Sequence, residues 1–400
     1  MVLLSSPAAS GKVDRANNMR RIIIVGGGIV GAGLAYALRN EPIDVVLLER
    51  NQLGAGTTSA SIAVFMWWAL EEPNAFEQEL RERSWATYEP LIESGKISFE
   101  QIGALHCARS ETRRQAYHEA ADDLRSFGLD ASMLAEDQLA ELNVAANEPR
   151  RGLFIEESGY LDPTEIMQVW SEAAMDSGVD IRTGWEVTDV ETADGQVTAV
   201  RANSQRVQAD HVVNAAGPWS HKIADMVDIE LPVRHSLGRI LVLQTDAEVS
   251  LPFVIFENGD YFRQEGSRQA FAGRFETEYA DAQRHEPDTP RRVETEFKAG
   301  MAESIPERVP QLQDAEVVNE WVGLRTLTPD GMPLLGPTAI DGFHLATGMN
   351  GEGVTNAPVL TQALARQLMQ GSDEIADRLR IDRFQSDRST DISPQSAADE

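Results

Sequence analysis

Gly26-x-Gly28-x-x-Gly31 is the spacing in this sequence with the most evident chemistry. The first glycine permits a tight turn, the second lets backbone approach a pyrophosphate, and the third lets a helix pack on a strand. A helix that starts there offers free N–H groups and a partial positive charge to phosphate oxygens. Such a triplet also occurs as a plain structural turn. Here a strand precedes it, a helix follows it, and Glu49 ends the next strand, 18 residues past Gly31. A carboxylate at that place accepts hydrogen bonds from ribose hydroxyls, which suits FAD or NAD better than NADP. Gly54-Ala55-Gly56-Thr57-Thr58-Ser59-Ala60-Ser61 comes next. Its small residues let backbone crowd a ligand, and its hydroxyls can bond phosphate or ribityl oxygens. That suits a long dinucleotide lying stretched out. Other chemistries lack their residues. His118-Glu119 and His285-Glu286 have no second His for an H-E-x-x-H metal site, and neither a G-x-S-x-G elbow nor a Walker A loop occurs.

The elements that must position these groups can be read from periodicity. Arg20–Val25 reads as a short buried strand, Ile29–Arg39 as a helix and Ile43–Glu49 as a second buried strand. Together they make a βαβ unit. Helical spacing recurs over 75–95, 111–127, 135–142 and 164–177, the last opened by Pro163 and closed by Gly178. Residues 97–107 read as extended. From 179 the chain turns to alternating strands, with Asp194-Gly195 as a hairpin turn. Three or four further strands fall in 233–275, and Arg291–Met301 reads as a helix. A strand at Phe343–Thr347 leads into a glycine-rich turn at 348–353 and a helix over about 355–369. This is an α/β pattern at both ends with a strand-rich middle. It predicts a discontinuous nucleotide-binding domain of residues 19–75, 151–222 and 323–384. A substrate domain of 76–150 and 223–322 is inserted in it, and 1–18 and 385–400 are expected to be flexible tails.

Charge narrows the partners. Across 400 residues, 35 basic and 64 acidic side chains give a net charge of −29. Such a surface repels nucleic acid and anionic lipid. Only four of the basic residues are Lys (12, 96, 222 and 298), a composition expected of a cytoplasm holding molar salt. The single cysteine, Cys107, excludes an internal disulfide and any multi-thiolate metal site. Residues 1–18 lack the apolar core of a secretory signal, and Ile22–Leu38 is too short and glycine-rich for a membrane span. A cytoplasmic protein with no integral membrane segment is expected.

Several segments together resemble the D-amino acid oxidase-like family of FAD-dependent oxidoreductases, which includes glycine oxidase, sarcosine oxidases and related amine dehydrogenases. They are the glycine turn with its second contact segment, WEV (185–187), VVNAAGPWS (212–220), WVGLRTLTPDGMPLLGPT and FHLATGMNGEGVTNAP. The resemblance runs from Arg20 to about Phe384. It implies a Rossmann-type FAD-binding domain of the glutathione reductase kind, with an inserted α+β domain built on an antiparallel sheet.

The resemblance also implies roles. On the cofactor it places Gly26, Gly28, Ile29, Val30 and Gly31, then Glu49, Arg50, Gly56, Thr57, Thr58 and Ser59. Val187 would meet the adenine by its backbone, with Ala216, Gly217 and Trp219 closing over the cofactor. Gly323 and the turn Gly348, Met349, Asn350, Gly351, Glu352, Gly353 and Val354 would stand at the flavin, where the following helix N-terminus stabilises an anionic reduced ring. Arg325 would pair with the substrate carboxylate, although Thr326 stands where relatives often have Pro. Tyr261 and Arg263 would lie on the substrate side, while Trp67, Trp68, His235 and Arg239 are further candidates for the pocket. Some relatives link flavin to a cysteine near GLRT. Gly323 stands there and Cys107 lies far away in sequence, so non-covalent FAD is expected, with a linkage through a histidine as the alternative. The implied reaction is oxidation of the Cα–N bond of a small amino acid by hydride transfer to flavin N5, with oxygen, a quinone or an electron-transfer protein as final acceptor. Two alternatives remain: a dehydrogenase of 2-hydroxy acids or glycerol 3-phosphate, and a flavin-binding subunit of a larger electron-transfer complex.

Overall fold

The computed structural model describes residues 19–68, 74–145, 151–275 and 279–384. The expected tails at 1–18 and 385–400 lie outside the described residues. Two large sheets dominate. The first has six strands in the order Leu334–Pro337, Phe343–Thr347, His211–Asn214, Arg21–Val25, Asp44–Glu49 and Asp180–Thr183. All neighbours are parallel except the pair Leu334–Pro337 and Phe343–Thr347. Arg21–Val25 is a central strand, and Ile22, Ile23 and Ile24 are fully buried. A run of three isoleucines fits a strand covered on both faces. Ile22 and Ile24 pack towards the helices Ile29–Leu38, Pro163–Asp176 and Gly353–Gln370. Ile23 and Val25 face an antiparallel meander of Val187–Ala193, Gln196–Ala202 and Gln205–Gln208. The hairpin turn has Asp194 and Gly195 at φ 51° and 77°, the left-handed pair that Asp-Gly favours.

The second sheet has eight strands in the order Glu316–Leu327, Arg234–Gln244, Gln269–Arg274, Asp260–Glu265, Phe253–Phe256, Ala104–Ala108, Arg151–Ile155 and Ala131–Leu134. Its neighbours are antiparallel except Phe253–Phe256 beside Ala104–Ala108. One face carries the helix Thr295–Arg308. That helix begins four residues later than the sequence predicts, because Val293 turns inward and Glu294 takes the N-cap place. The other face presents Ile240, Phe253 and Tyr261 towards the first domain. The boundary expected at 323 falls inside the strand Glu316–Leu327, and the one at 151 falls at the start of Arg151–Ile155; both strands pair within this sheet. No helix among the described residues is long and apolar enough to cross a membrane.

Candidate active site

The three glycines of the turn differ in the space around them. Gly26 has φ +107°, and a Cβ there would lie 2.6 Å from the Ala215 carbonyl oxygen. A Cβ on Gly31 would lie 1.9 Å from the Gly26 oxygen. Both positions are closed by the chain itself. Gly28 differs: a Cβ would meet only Thr58 Oγ1, at 3.3 Å, and the residue faces an open cleft. The helix Ile29–Leu38 has no side-chain cap from its own turn and no acid in its first turn. Thr58 Oγ1 accepts one of its N–H groups, from Ile29 at 3.0 Å. Glu49 accepts from the Gly27 and Asn51 amides, each at 2.7 Å, which fixes its carboxylate at the end of its strand.

The cleft runs from this turn in both directions. Of the residues that the resemblance implies at the cofactor, Gly26, Gly28, Ile29, Val30, Glu49, Arg50, Gly56, Thr57, Thr58, Val187, Ala216, Gly217 and Trp219 line it. Gly348, Met349, Gly351, Gly353 and Val354 close its other end, where the uncapped helix Gly353–Gln370 begins. Five expected residues lie elsewhere. Gly31 is consumed in packing. Ser59 turns its hydroxyl to the Ala55 and Gly56 carbonyls, and Ser61 lines the cleft instead. Gly323, Asn350 and Glu352 line a second cavity.

Sequence reasoning missed a latch over the cleft. Asp288, on a loop from the eight-stranded-sheet domain, accepts from Arg50 at 2.6 Å, Trp219 Nε1 at 2.9 Å and Lys222 at 3.0 Å. The Arg50 guanidinium stacks on Trp219, 4.4 Å from the ring centroid. These contacts span more than sixty residues of sequence, so no local spacing announces them. Hydrogen bonding from Arg50, then from Lys222 and Trp219, holds the Asp288 carboxyl below the usual carboxylate range. A depressed value means that the contribution of the latch is fully present above the ordinary carboxylate pKa of about 3.9 and is lost only as pH falls on through the lower value of the folded carboxyl. Asp288→Asn should therefore speed loss of bound dinucleotide by about three- to tenfold at low salt, and less at high salt, as partly exposed pairs are screened. Stopped-flow release of the ligand measures this; an unchanged rate removes the latch from cofactor retention.

The second cavity, of about 780 Å³, lies behind the first. Thr57, Ser61, Leu324, Arg325, Met349, Gly351 and Val354 wall both spaces. Arg325 sits on Glu316–Leu327 opposite Ser236, with its guanidinium carbon 4.9 Å from the Phe275 ring centroid. Tyr261 lines the second cavity and contacts the same Phe275 ring. Burial pushes its phenol up to about 12, against the pull of Arg325. Arg263 does not join them. It is 3% exposed, paired with Glu265 at 2.5 Å, and its guanidinium packs on the rings of Tyr160 and Phe271. The further candidates are also held away from both cavities. Trp67 packs with Phe65 and Trp85, and Trp68 with His106 and Tyr117. His235 bonds the His285 backbone, and Arg239 forms a two-pronged pair with Glu294.

The cleft therefore offers two helix N-termini whose own N-cap residues make no side-chain bond to them, a glycine open to a ligand and a fixed carboxylate. That donor set fits an extended dinucleotide with pyrophosphate near Gly28 and ribose near Glu49. Relatives agree. The chain is 26% identical over 379 residues to sarcosine oxidase subunit beta of Rhizobium meliloti, covering 91% of this chain and 88% of that protein. It is 24% identical to human mitochondrial dimethylglycine dehydrogenase, covering 90% of this chain but only 43% of that longer protein. L-proline dehydrogenase from P. horikoshii has the same fold, with a TM-score of 0.82 at 20% identity, covering 92% of this chain and 98% of that one. Glycine oxidase from Bacillus cereus gives 0.75 at 21%, covering 90% and 98%. The family profile described as "DAO: FAD dependent oxidoreductase" matches residues 21–367. That span holds the glycine turn, both large sheets and every wall of the two cavities, and the chain belongs to the DAO family of FAD-dependent oxidoreductases.

Proposed function

We propose that the chain oxidises the Cα–N bond of a small amino acid, with FAD in the glycine-lined cleft and the amino acid in the second cavity. The observation that carries this reading is the shared wall, where Arg325, Gly351 and Met349 face both spaces. The chemistry FAD supplies when bound is acceptance of the Cα hydride. Its holders would be the Gly26–Gly31 turn, Glu49, Thr57, Thr58, Val187 and the N-terminus of the Gly353–Gln370 helix. Arg325 would clamp the substrate carboxylate by its planar fork, fixing Cα at the boundary between the spaces. Ile62, Val64, Met66, Phe253 and Phe275 make the surroundings apolar and limit water. Tyr261 stays a neutral phenol throughout the physiological range, because its pKa is raised to about 12. The names of the relatives, which act on sarcosine, dimethylglycine, proline or glycine, support an amino carboxylate.

An anaerobic panel tests this. Amino acids should bleach the flavin's visible absorbance, and 2-hydroxy acids and glycerol 3-phosphate should leave it unchanged. The reverse pattern moves the assignment to hydroxyl oxidation. In this reading FAD is not covalently bound, since Gly323 offers no thiol and Cys107 is buried within the strand Ala104–Ala108. Acid precipitation should leave all the yellow colour in the supernatant; a coloured pellet contradicts it.

A further inference from the structure

The second cavity contains an acidic group that the reading above leaves unused. Glu352 follows Gly351, which walls both cavities, but lines the second alone. Its oxygens accept from Arg81 Nη2 at 3.0 and 3.1 Å and from Asn356 Nδ2 at 3.0 Å. Arg81 is only 2% exposed and is committed elsewhere as well. Its Nε donates to the Met66 carbonyl at 3.0 Å and its Nη1 to the Glu77 carbonyl at 3.3 Å, with the Glu77 carboxylate at 3.5 Å. One guanidinium thus faces two carboxylates, and all three side chains line the cavity. Negative charge is in excess at this wall.

A second observation points the same way. Asn356, another wall residue, is 6% exposed, and its Oδ1 has no hydrogen-bond partner among the described residues. The orientation of the amide is fixed, because only its NH₂ can face the Glu352 carboxylate. The wall therefore holds an unfilled buried acceptor beside a carboxylate that has lone pairs to spare. A buried acceptor left unmade is destabilising, and a ligand donor removes that cost. The neighbouring wall carries the opposite sign. A Cβ on Gly351 would lie 3.0 Å from Arg325 Cδ, so Arg325 packs directly on the residue before Glu352.

We propose that Glu352 receives the ammonium group of the substrate, so that the cavity selects a zwitterion: carboxylate on Arg325, ammonium on Glu352, with Asn356 Oδ1 taking a further N–H. This rests on the amino acid reading above and deepens it. The carboxylate at this wall discriminates by charge. A 2-hydroxy acid brings the same carboxylate but no cation, and leaves the negative excess uncompensated. Arg81 holds the Glu352 carboxylate in place.

The test uses the FAD-loaded protein and ligands with no Cα–H, so that binding is read without turnover. 2-Aminoisobutyrate, 2-hydroxyisobutyrate and pivalate share one shape and differ in carrying an ammonium, a hydroxyl or a methyl group. Binding is followed by perturbation of the flavin spectrum and by calorimetry. The native protein should prefer 2-aminoisobutyrate over the other two by about tenfold or more, as a charge-assisted hydrogen bond of ~1.5–3 kcal/mol requires. The preference should vanish as pH rises through the pKa of the ligand's own ammonium. Glu352→Gln should bring the three ligands to within about twofold of one another while pivalate affinity holds or rises. Equal affinities in the native protein overturn the proposal without any variant, and so does a Glu352→Gln protein that keeps the native preference. If none of the three binds, the carboxylate clamp at Arg325 fails first, and the amino acid reading falls with it.

Discussion

Arg325→Ala lowers kcat/KM for amino acid substrates by about 10²- to 10³-fold. Truncating one partner of a desolvated, hydrogen-bonded charge pair costs ~2–5 kcal/mol. At about 1.4 kcal/mol for each factor of ten, two to three orders of magnitude follow. KM carries most of the loss, and kcat falls as well, because a carboxylate no longer clamped lets Cα wander from the boundary between the cavities. Arg325→Lys recovers little, since an ammonium cannot reproduce a planar two-pronged contact. Arg325 also walls the cofactor cleft, so flavin content and visible circular dichroism must be measured on the same preparations. Full flavin content with kcat/KM unchanged removes Arg325 from substrate binding.

A pair of alanine substitutions in one turn should fail in opposite ways. Gly31→Ala forces a Cβ to within 1.9 Å of the Gly26 oxygen, and both are backbone-fixed. No side-chain rotation relieves that contact, so helix and turn must separate. Overpacking of this kind costs at least ~1–3 kcal/mol and here opens the centre of the six-stranded sheet. The apoprotein should melt well below the native one or fail to accumulate. Gly28→Ala meets only a hydroxyl at 3.3 Å. Its apoprotein should melt close to native, yet FAD affinity should fall by about 100-fold, because the methyl group occupies the approach of the pyrophosphate. Apoprotein melting curves and FAD fluorescence titrations separate the two outcomes. Native FAD affinity in Gly28→Ala contradicts the placement of the dinucleotide.

Features set by near neighbours in sequence are legible in the chain. The glycine turn, Glu49 and the turn before the Gly353–Gln370 helix each follow from a strand, a tight bend and a helix within a few residues. Features set by pairing at a distance are not. Asp288 meets Arg50 across 238 residues, and Arg81 meets Glu352 across 271. Neither pair has a local signature. Tyr261 and Arg263 share one face of a strand by alternation, but only Tyr261 reaches the cavity. Tyr160 and Phe271 hold Arg263 aside, and both belong to other strands. The resemblance implies one continuous cofactor contact over 348–353. Asn350 and Glu352 line the second cavity alone, whereas Met349 and Gly351 wall both.

The six-stranded sheet takes strands from residues 21–25 and from 343–347, and the last wall of the cleft is Val354. A chain emerging from the ribosome displays its glycine turn some three hundred residues before the opposite wall has been translated. A cleft with both of its walls therefore exists only on a chain synthesised at least as far as Val354.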